Sequence, residues 1–168
     1  LFKCGRLELY RYMDAVPEER VVGALRRGLQ RVAQGEPVQY VLGQWDFRKL
    51  TLKVDRRALI PRPETEQLVD LVLKSAQVKG VAKPLVVDVG TGTGCIILSL
   101  AKELDAGVFV GLDISPEALA LAKENAVLTG LEGRVMFAES DGCGEFDPAS
   151  VDVLVSNPPY IPSLAVDR

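Results

Sequence analysis

The sequence predicts an α/β protein with a doubly wound parallel sheet, preceded by a small helical module and a β-hairpin connector. Three observations carry that prediction. From Pro84 onward, short β-branched runs alternate with amphipathic helical stretches, as in parallel sheets whose strands are apolar on both faces. A glycine-rich turn, Gly90-Thr91-Gly92-Thr93-Gly94, closes the first of these runs. Ahead of Pro63 the pattern differs, being first helical and then loosely alternating.

The elements follow in chain order. Phe2 to Tyr12 reads as the end of a helix. Pro17 suits a first helical position, with Glu18 and Glu19 at the positive end of the helix dipole. Val21, Val22, Leu25, Leu29 and Val32 share one helical face, and Gly35 can close the helix. Gln44 to Val54 alternates through Trp45, Phe47, Leu50, Leu52 and Val54, with Arg48-Lys49 near a hairpin turn. Ile60-Pro61-Arg62-Pro63 is extended, because each proline disfavours helical geometry in the residue before it. Pro63 then opens a helix predicted to turn Leu68, Val69, Leu71, Val72 and Ala76 inward.

Leu85–Val89 is the first strand of the sheet, and Cys95 to Leu104 is the helix after the glycines. Val108–Asp113 is the second strand. Ser115 can cap the following helix, with Pro116 as its first residue and Gly130 as its end. Val135–Glu139 and Val151–Val155 supply a third and a fourth strand. The expected domains are 1–43, a helical module; 44–62, a hairpin connector; and 63–168, the sheet domain.

Composition narrows the function. The chain has 168 residues, 48% hydrophobic and 26% charged, enough for one core and a small appendage. No apolar run approaches the roughly 20 residues of a membrane span. Cys4, Cys95 and Cys143 are odd in number and widely spaced, so neither a disulfide framework nor a metal site is expected, and a reducing compartment is. Histidine is absent, which removes the commonest general base, triad member and metal ligand. Residues 1–62 carry 13 Lys/Arg against 7 Asp/Glu, whereas residues 63–168 carry 7 against 16. The asymmetry fits a first module facing an anionic partner, and equally an ordinary solvated basic face.

Two motifs carry chemistry. Gly90, Gly92 and Gly94 relieve backbone crowding at the carboxyl end of a strand, where open α/β sheets bind ligands. The spacing is G-x-G-x-G, and Cys95 stands where a dinucleotide fingerprint wants its third glycine. Asp113 ends the second strand, where a carboxylate accepts from both ribose hydroxyls of a nucleoside cofactor. Asp88 either holds the glycine loop or meets an amino group of the cofactor.

The second motif is Asn157-Pro158-Pro159-Tyr160. Its prolines fix the backbone and remove two donors, leaving carbonyl groups as acceptors. The Asn157 side-chain oxygen and the Pro158 carbonyl can each take one N–H of an incoming NH2 group, and Tyr160 can stack on a planar target.

Asp88 to Gly94 followed by Asn157 to Tyr160 resembles the class I S-adenosylmethionine-dependent methyltransferases that modify planar nitrogens. Gln39-Tyr40-Val41-Leu42-Gly43 with Asp46-Phe47, and Leu59-Ile60-Pro61-Arg62-Pro63-Glu64-Thr65-Glu66, are similar to the HemK/PrmC family. These are protein-(glutamine-N5) methyltransferases of peptide chain release factors, and the resemblance covers nearly the whole chain. It implies a Rossmann-like catalytic domain, a helical domain that grips the release factor, and S-adenosyl-L-methionine as cofactor. It places Asp88, Gly90, Thr91, Gly92, Thr93, Gly94, Asp113, Asp141, Gly142 and Asn157 around the cofactor. Asn157, Pro158, Pro159 and Tyr160 fall around the substrate glutamine, with Asn157, Pro158 and Tyr160 catalytic. Gly142 stands after Ser140-Asp141, where the family commonly has an aromatic residue near the adenine.

The family's domain has seven strands and four are visible here, so a fragment is expected. Two alternatives remain: an adenine-N6 nucleic-acid methyltransferase, and a truncated, non-catalytic homologue. The expected setting is the cytoplasm, or an organellar matrix in a eukaryote, with no membrane or metal partner and nucleic acid met only through the ribosome.

Overall fold

A computed structural model describes residues 16, 18–78, 80–144, 146–147 and 149–158, with the side chains of 76–78 left aside. The predicted helix over Phe2 to Tyr12, Pro17 as a first helical residue, and both Pro159 and Tyr160 lie outside the described residues. The chain divides into two compact units, Leu1–Leu42 and Gly43–Arg168.

In the first unit, α1 (Glu19–Ala33) precedes the short α2 (Val38–Leu42). Gly35 closes α1 as predicted. Its N–H donates to the Val32 carbonyl at 2.9 Å, and the Glu36 N–H reaches back to the Arg31 carbonyl at 3.1 Å. A methyl group at Gly28 would come within 3.2 Å of Val41, which shows how closely α1 and α2 approach. Of the residues that share one face of α1, Val21 and Val22 are half-buried while Leu25, Leu29 and Val32 are exposed. The described part of this unit offers α1 only a helix of five residues as cover.

The second unit opens with an antiparallel hairpin, β1 (Gln44–Phe47) and β2 (Leu50–Lys53). Its turn places Arg48 in the left-handed region, at φ 51°. The strain is offset by the Arg48 side chain, whose guanidinium donates to Glu103 at 2.7 Å and to Asp70 at 2.8 Å. Phe47, Leu50 and Leu52 are buried in the same cluster as Val69, Ile97 and Val86. The hairpin is therefore built into the core of the sheet unit.

The helices α3 (Pro63–Val78), α4 (Cys95–Glu103) and α5 (Pro116–Thr129) alternate with strands β3 (Leu85–Val89), β4 (Val108–Asp113) and β5 (Val135–Glu139), and β6 (Val153–Ser156) follows. The sheet is parallel in the order β5-β4-β3-β6. Residues from all three helices join Val86, Phe109, Val135, Val153 and Val155 in one cluster, so these helices cover one face. On the other face Val87, Val110 and Leu112 are buried with Phe146 and Val151 packed against them.

Local signals read from the sequence hold. Ser115 Oγ accepts from the Ala118 amide at 3.2 Å, Pro116 opens α5, and Gly130 ends it at φ 70°. Two differ. Leu71 is 63% exposed, while Val69 and Val72 are buried with Leu68 and Leu73 beside them. At about 100° per residue, position 71 points roughly opposite to 69. In β6 and β5 exposure alternates or spreads (Leu154 and Met136 lie open) instead of both faces being buried. β6 begins at Val153, and Asp152 just before it meets the start of β3, its amide donating to the Leu85 carbonyl at 3.1 Å and its carboxylate accepting from the Leu85 amide at 2.8 Å.

Candidate active site

The strand order places the site. β4 lies on one side of β3 and β6 on the other, so the order of the sheet reverses between β3 and β6. A crevice opens at the carboxyl ends of strands around such a reversal. The glycine turn leaves β3 there, and Asn157 leaves β6. The pairing of Val89 with Ser156 brings the two exits side by side, and Ser156 Oγ donates to the Val89 carbonyl at 2.8 Å.

The glycine turn is fixed from within. Thr91 Oγ1 donates to Asp88 Oδ2 at 2.7 Å, and the Thr91 amide donates to the Leu112 carbonyl at 2.8 Å. The Gly94 amide closes the turn on the Thr91 carbonyl at 2.8 Å. Gly90 has φ +73° and open space where a side chain would begin, so the turn leaves a bare ledge. Gly94 is required for packing as well as for its φ of +80°, since a Cβ would meet Leu98 at 3.0 Å and Ala122 at 3.3 Å.

Asp113, at the end of β4, accepts from the Gly92 amide at 2.8 Å through Oδ2 and from the Ser115 amide at 3.0 Å through Oδ1. Each carboxylate oxygen keeps a second lone pair, so a pair of hydroxyls can still be received. Asp88 is fully buried, and burial raises its carboxyl to about 7 against the opposing Thr91 hydrogen bond. Its Oδ1 has no hydrogen-bond partner among the described residues. Cys95, in the place of the third glycine, is inert: burial pushes its thiol up to about 12.

Asn157 is half-buried beside α3, and its Nδ2 donates to Thr65 Oγ1 at 2.9 Å. Asp141 and Gly142 follow β5, where Ser140 Oγ donates to the Gly142 carbonyl at 2.9 Å. Asp141 is exposed there and Gly142 has open space in place of a side chain. Among the described residues no cluster of His, Cys, Asp or Glu is gathered to hold a metal, and no helix is long and apolar enough to cross a membrane.

This architecture can be set against known proteins. Residues 65–167 match the methyltransferase small domain, and residues 1–43 match the PrmC N-terminal domain. The chain belongs to the methyltransferase small domain family. The resemblance to the HemK/PrmC family read from the motifs is thereby borne out. A release factor glutamine methyltransferase of Rhodopirellula baltica is 39% identical over 98% of this chain and 57% of its own length. One of Vibrio cholerae is 41% identical over 93% and 54%. The chain thus spans little more than half the length of these relatives. The N-terminal domain of human METTL16, solved with S-adenosylhomocysteine, superposes with TM-score 0.57 at 17% identity over 91% of this chain and 69% of that one. At that identity it shows the shared Rossmann-like fold alone.

The fold brings together Asp88, Gly90 to Gly94, Asp113 and Asn157 as the motifs suggested. Three residues that the motif reading passed over also shape the site. Thr65 meets Asn157, Ser156 ties the two exits, and Asn125 holds the turn through the Thr93 carbonyl at 2.9 Å. Thr65 lay inside a segment used to recognise the family, which was the available signal. Asn125 is a polar residue within an apolar helix face, a weaker one.

Proposed function

We propose that this protein transfers a methyl group from S-adenosyl-L-methionine to the side-chain amide nitrogen of the glutamine in the Gly-Gly-Gln loop of a peptide chain release factor. The observation that carries the reading is the juxtaposition of the glycine turn and Asn157 at the reversal of strand order, in a chain that matches both domains of the family. Gly90, Thr91, Gly92, Thr93 and Gly94 form the cofactor ledge and Asp113 receives the ribose hydroxyls. Asp88 is fully enclosed and holds the turn through Thr91, the structural one of its two candidate roles. Asp141 and Gly142 lie on the adenine side, where Gly142 supplies no stacking surface. Bound there, S-adenosyl-L-methionine would supply a methyl group already activated on a sulfonium.

The chain's own residues supply positioning. An amide nitrogen is a poor nucleophile because its lone pair is delocalised into the carbonyl. Asn157 Oδ1 and the Pro158 carbonyl each accept one N–H of the glutamine. That orients its nitrogen and favours positive charge developing there. Pro159 and Tyr160 complete the motif, and Tyr160 is by its chemistry the residue suited to stack on a planar amide. No histidine is needed as a base, because the departing proton becomes acidic only as the new bond forms. The N-terminal unit grips the release factor, and the protein acts in the compartment where translation ends, the cytoplasm or an organellar matrix. No observation favours the adenine-N6 or non-catalytic alternatives.

The test is incubation of the full-length protein with S-adenosyl-L-methionine and a release factor, followed by peptide mass spectrometry. One added methyl on the Gly-Gly-Gln glutamine is expected. Methylation of DNA adenine with none on that glutamine would overturn the proposal.

A further inference from the structure

An Asn side chain useful as an acceptor faces an ambiguity that its own covalent structure does not resolve. The last torsion of a primary amide is broad and roughly two-fold, so oxygen and NH2 group exchange places at little intrinsic cost. One orientation offers a carbonyl oxygen to an incoming NH2 group. The other offers two donors, which repel it. A neighbouring hydroxyl accepts from the NH2 group or donates to the oxygen equally well, so what it fixes is the place of the amide, and an incoming NH2 group then selects the first orientation.

In this protein the Asn157 Nδ2 is engaged by Thr65 Oγ1 at 2.9 Å, across 92 positions of sequence. Among the described residues Oδ1, the opposite end of the same amide, accepts nothing. Thr65 is itself well anchored. It lies in the first turn of α3, two residues after Pro63, whose fixed φ suits the start of a helix. Its amide donates to the Arg62 carbonyl at 3.0 Å, and Val69 and Val72 seat the next turns of α3 in the core. Thr65 is only 6% exposed, so little water competes for its hydroxyl. Asn157, by contrast, sits on a loop.

We propose that Thr65 is the positioning residue of the Asn157 amide: its hydroxyl anchors the amide against α3, accepting from Nδ2 while Oδ1 is left to receive the substrate nitrogen. The inference rests on the function proposed above and deepens it, since Thr65 acts through Asn157 and touches neither substrate nor cofactor. An Asn157 side chain without this anchor is within reach of the substrate nitrogen only part of the time. It also loses much of its advantage as a preorganised acceptor, because aiming it becomes part of the barrier.

The experiment uses the full-length protein with three variants: Thr65→Val, which keeps the shape and deletes the hydroxyl; Thr65→Ser, which keeps it; and Asn157→Ala. Thr65→Val should lower kcat about 10- to 100-fold, less than the roughly 10²- to 10³-fold seen when a preorganised group is itself removed, because Asn157 remains. The KM for release factor and the affinity for S-adenosyl-L-methionine should stay near wild type. Thr65→Ser should retain most of the rate, and Thr65→Val should cost nothing further in an Asn157→Ala background. Wild-type kcat in Thr65→Val, an equal loss in the Asn157→Ala background, or no recovery with serine would each overturn the proposal. The Asn157 side-chain amide, followed by 15N NMR, gives a readout that needs no turnover. Thr65→Val should shift its signals and speed exchange of its protons, and unchanged signals would sink the contact. A wild-type protein that leaves the glutamine unmethylated would refute the function reading alone, with the NMR result still deciding the role of Thr65.

Discussion

Asn125 offers the sharpest test of how the site is held. Its side chain is fully buried and makes three hydrogen bonds to backbone. Oδ1 accepts from the Lys53 amide at 2.7 Å, and Nδ2 donates to the Lys53 carbonyl at 3.1 Å and the Thr93 carbonyl at 2.9 Å. One amide thus fastens α5 to the hairpin strand β2 and to the glycine turn. In Asn125→Leu the branched outline is kept with bulkier methyl groups in place of the amide, and all three bonds are lost. Each neutral bond is worth about 1 kcal/mol net, and a buried group left unpaired costs about 1–3 kcal/mol. The Thr93 carbonyl is buried while the Lys53 groups lie nearer the surface, where water can replace part of the loss. The expected destabilisation is therefore about 3 kcal/mol, a large share of the roughly 5–15 kcal/mol that holds a typical domain together. Urea denaturation should show a lower midpoint with an unchanged slope. Affinity for S-adenosyl-L-methionine should fall as well, because the Thr93 carbonyl no longer anchors the turn. A loss below about 1 kcal/mol would refute the reasoning, since it would mean that solvent satisfies all three groups as well as the side chain does. Asn125→Asp is the complementary variant: it keeps the acceptor for Lys53 but turns a carboxylate oxygen towards two carbonyls, so it should destabilise too.

Three further outcomes are expected. Asp113→Ala should weaken S-adenosyl-L-methionine binding by about 1–3 kcal/mol, read by calorimetry, and unchanged affinity would remove the ribose assignment. Asn157→Ala should lower kcat on release factor by about 100-fold or more while cofactor affinity falls less; parallel losses in both would point to a structural role instead. The buried carboxyl of Asp88 is raised from its ordinary 3.8 to about 7. Across that window the folded protein keeps a proton that the unfolded chain releases, so this group's contribution to stability declines as pH rises and levels off above about 7. Asp88→Asn is neutral throughout. Its stability relative to wild type should climb between about pH 4 and pH 7, and an advantage no larger at about pH 8 than at about pH 5 would contradict the burial argument.

What the sequence determined by itself was mostly local. The largely apolar runs at 85–89, 108–113 and 135–139 and the Ser115 and Gly130 boundaries depend on residues within a few positions of each other. So does the conformation of the glycine turn, where Gly90 and Gly94 adopt positive φ. Side-chain shape, capping chemistry and backbone freedom act over that range, which is why these elements could be read directly. Asp88, Asp113 and Asn157 were legible as candidates because each stands at or just after a strand end, and strand ends are where a parallel sheet binds.

Tertiary structure decided the rest. A helical pattern gives a stripe but not its limits, so Leu71 could not be separated from Val69 and Val72 until the sheet chose which side of α3 to cover. The hairpin read as a connector, yet Phe47, Leu50 and Leu52 complete the core against α3 and α4. Thr65 meets Asn157 across 92 positions, and Asn125 meets Lys53 across 72. Hydrogen bonds of that reach leave no periodicity in the chain. They arise because the crossovers of a parallel sheet bring all its carboxyl ends to one edge, where groups far apart in sequence come within 3 Å.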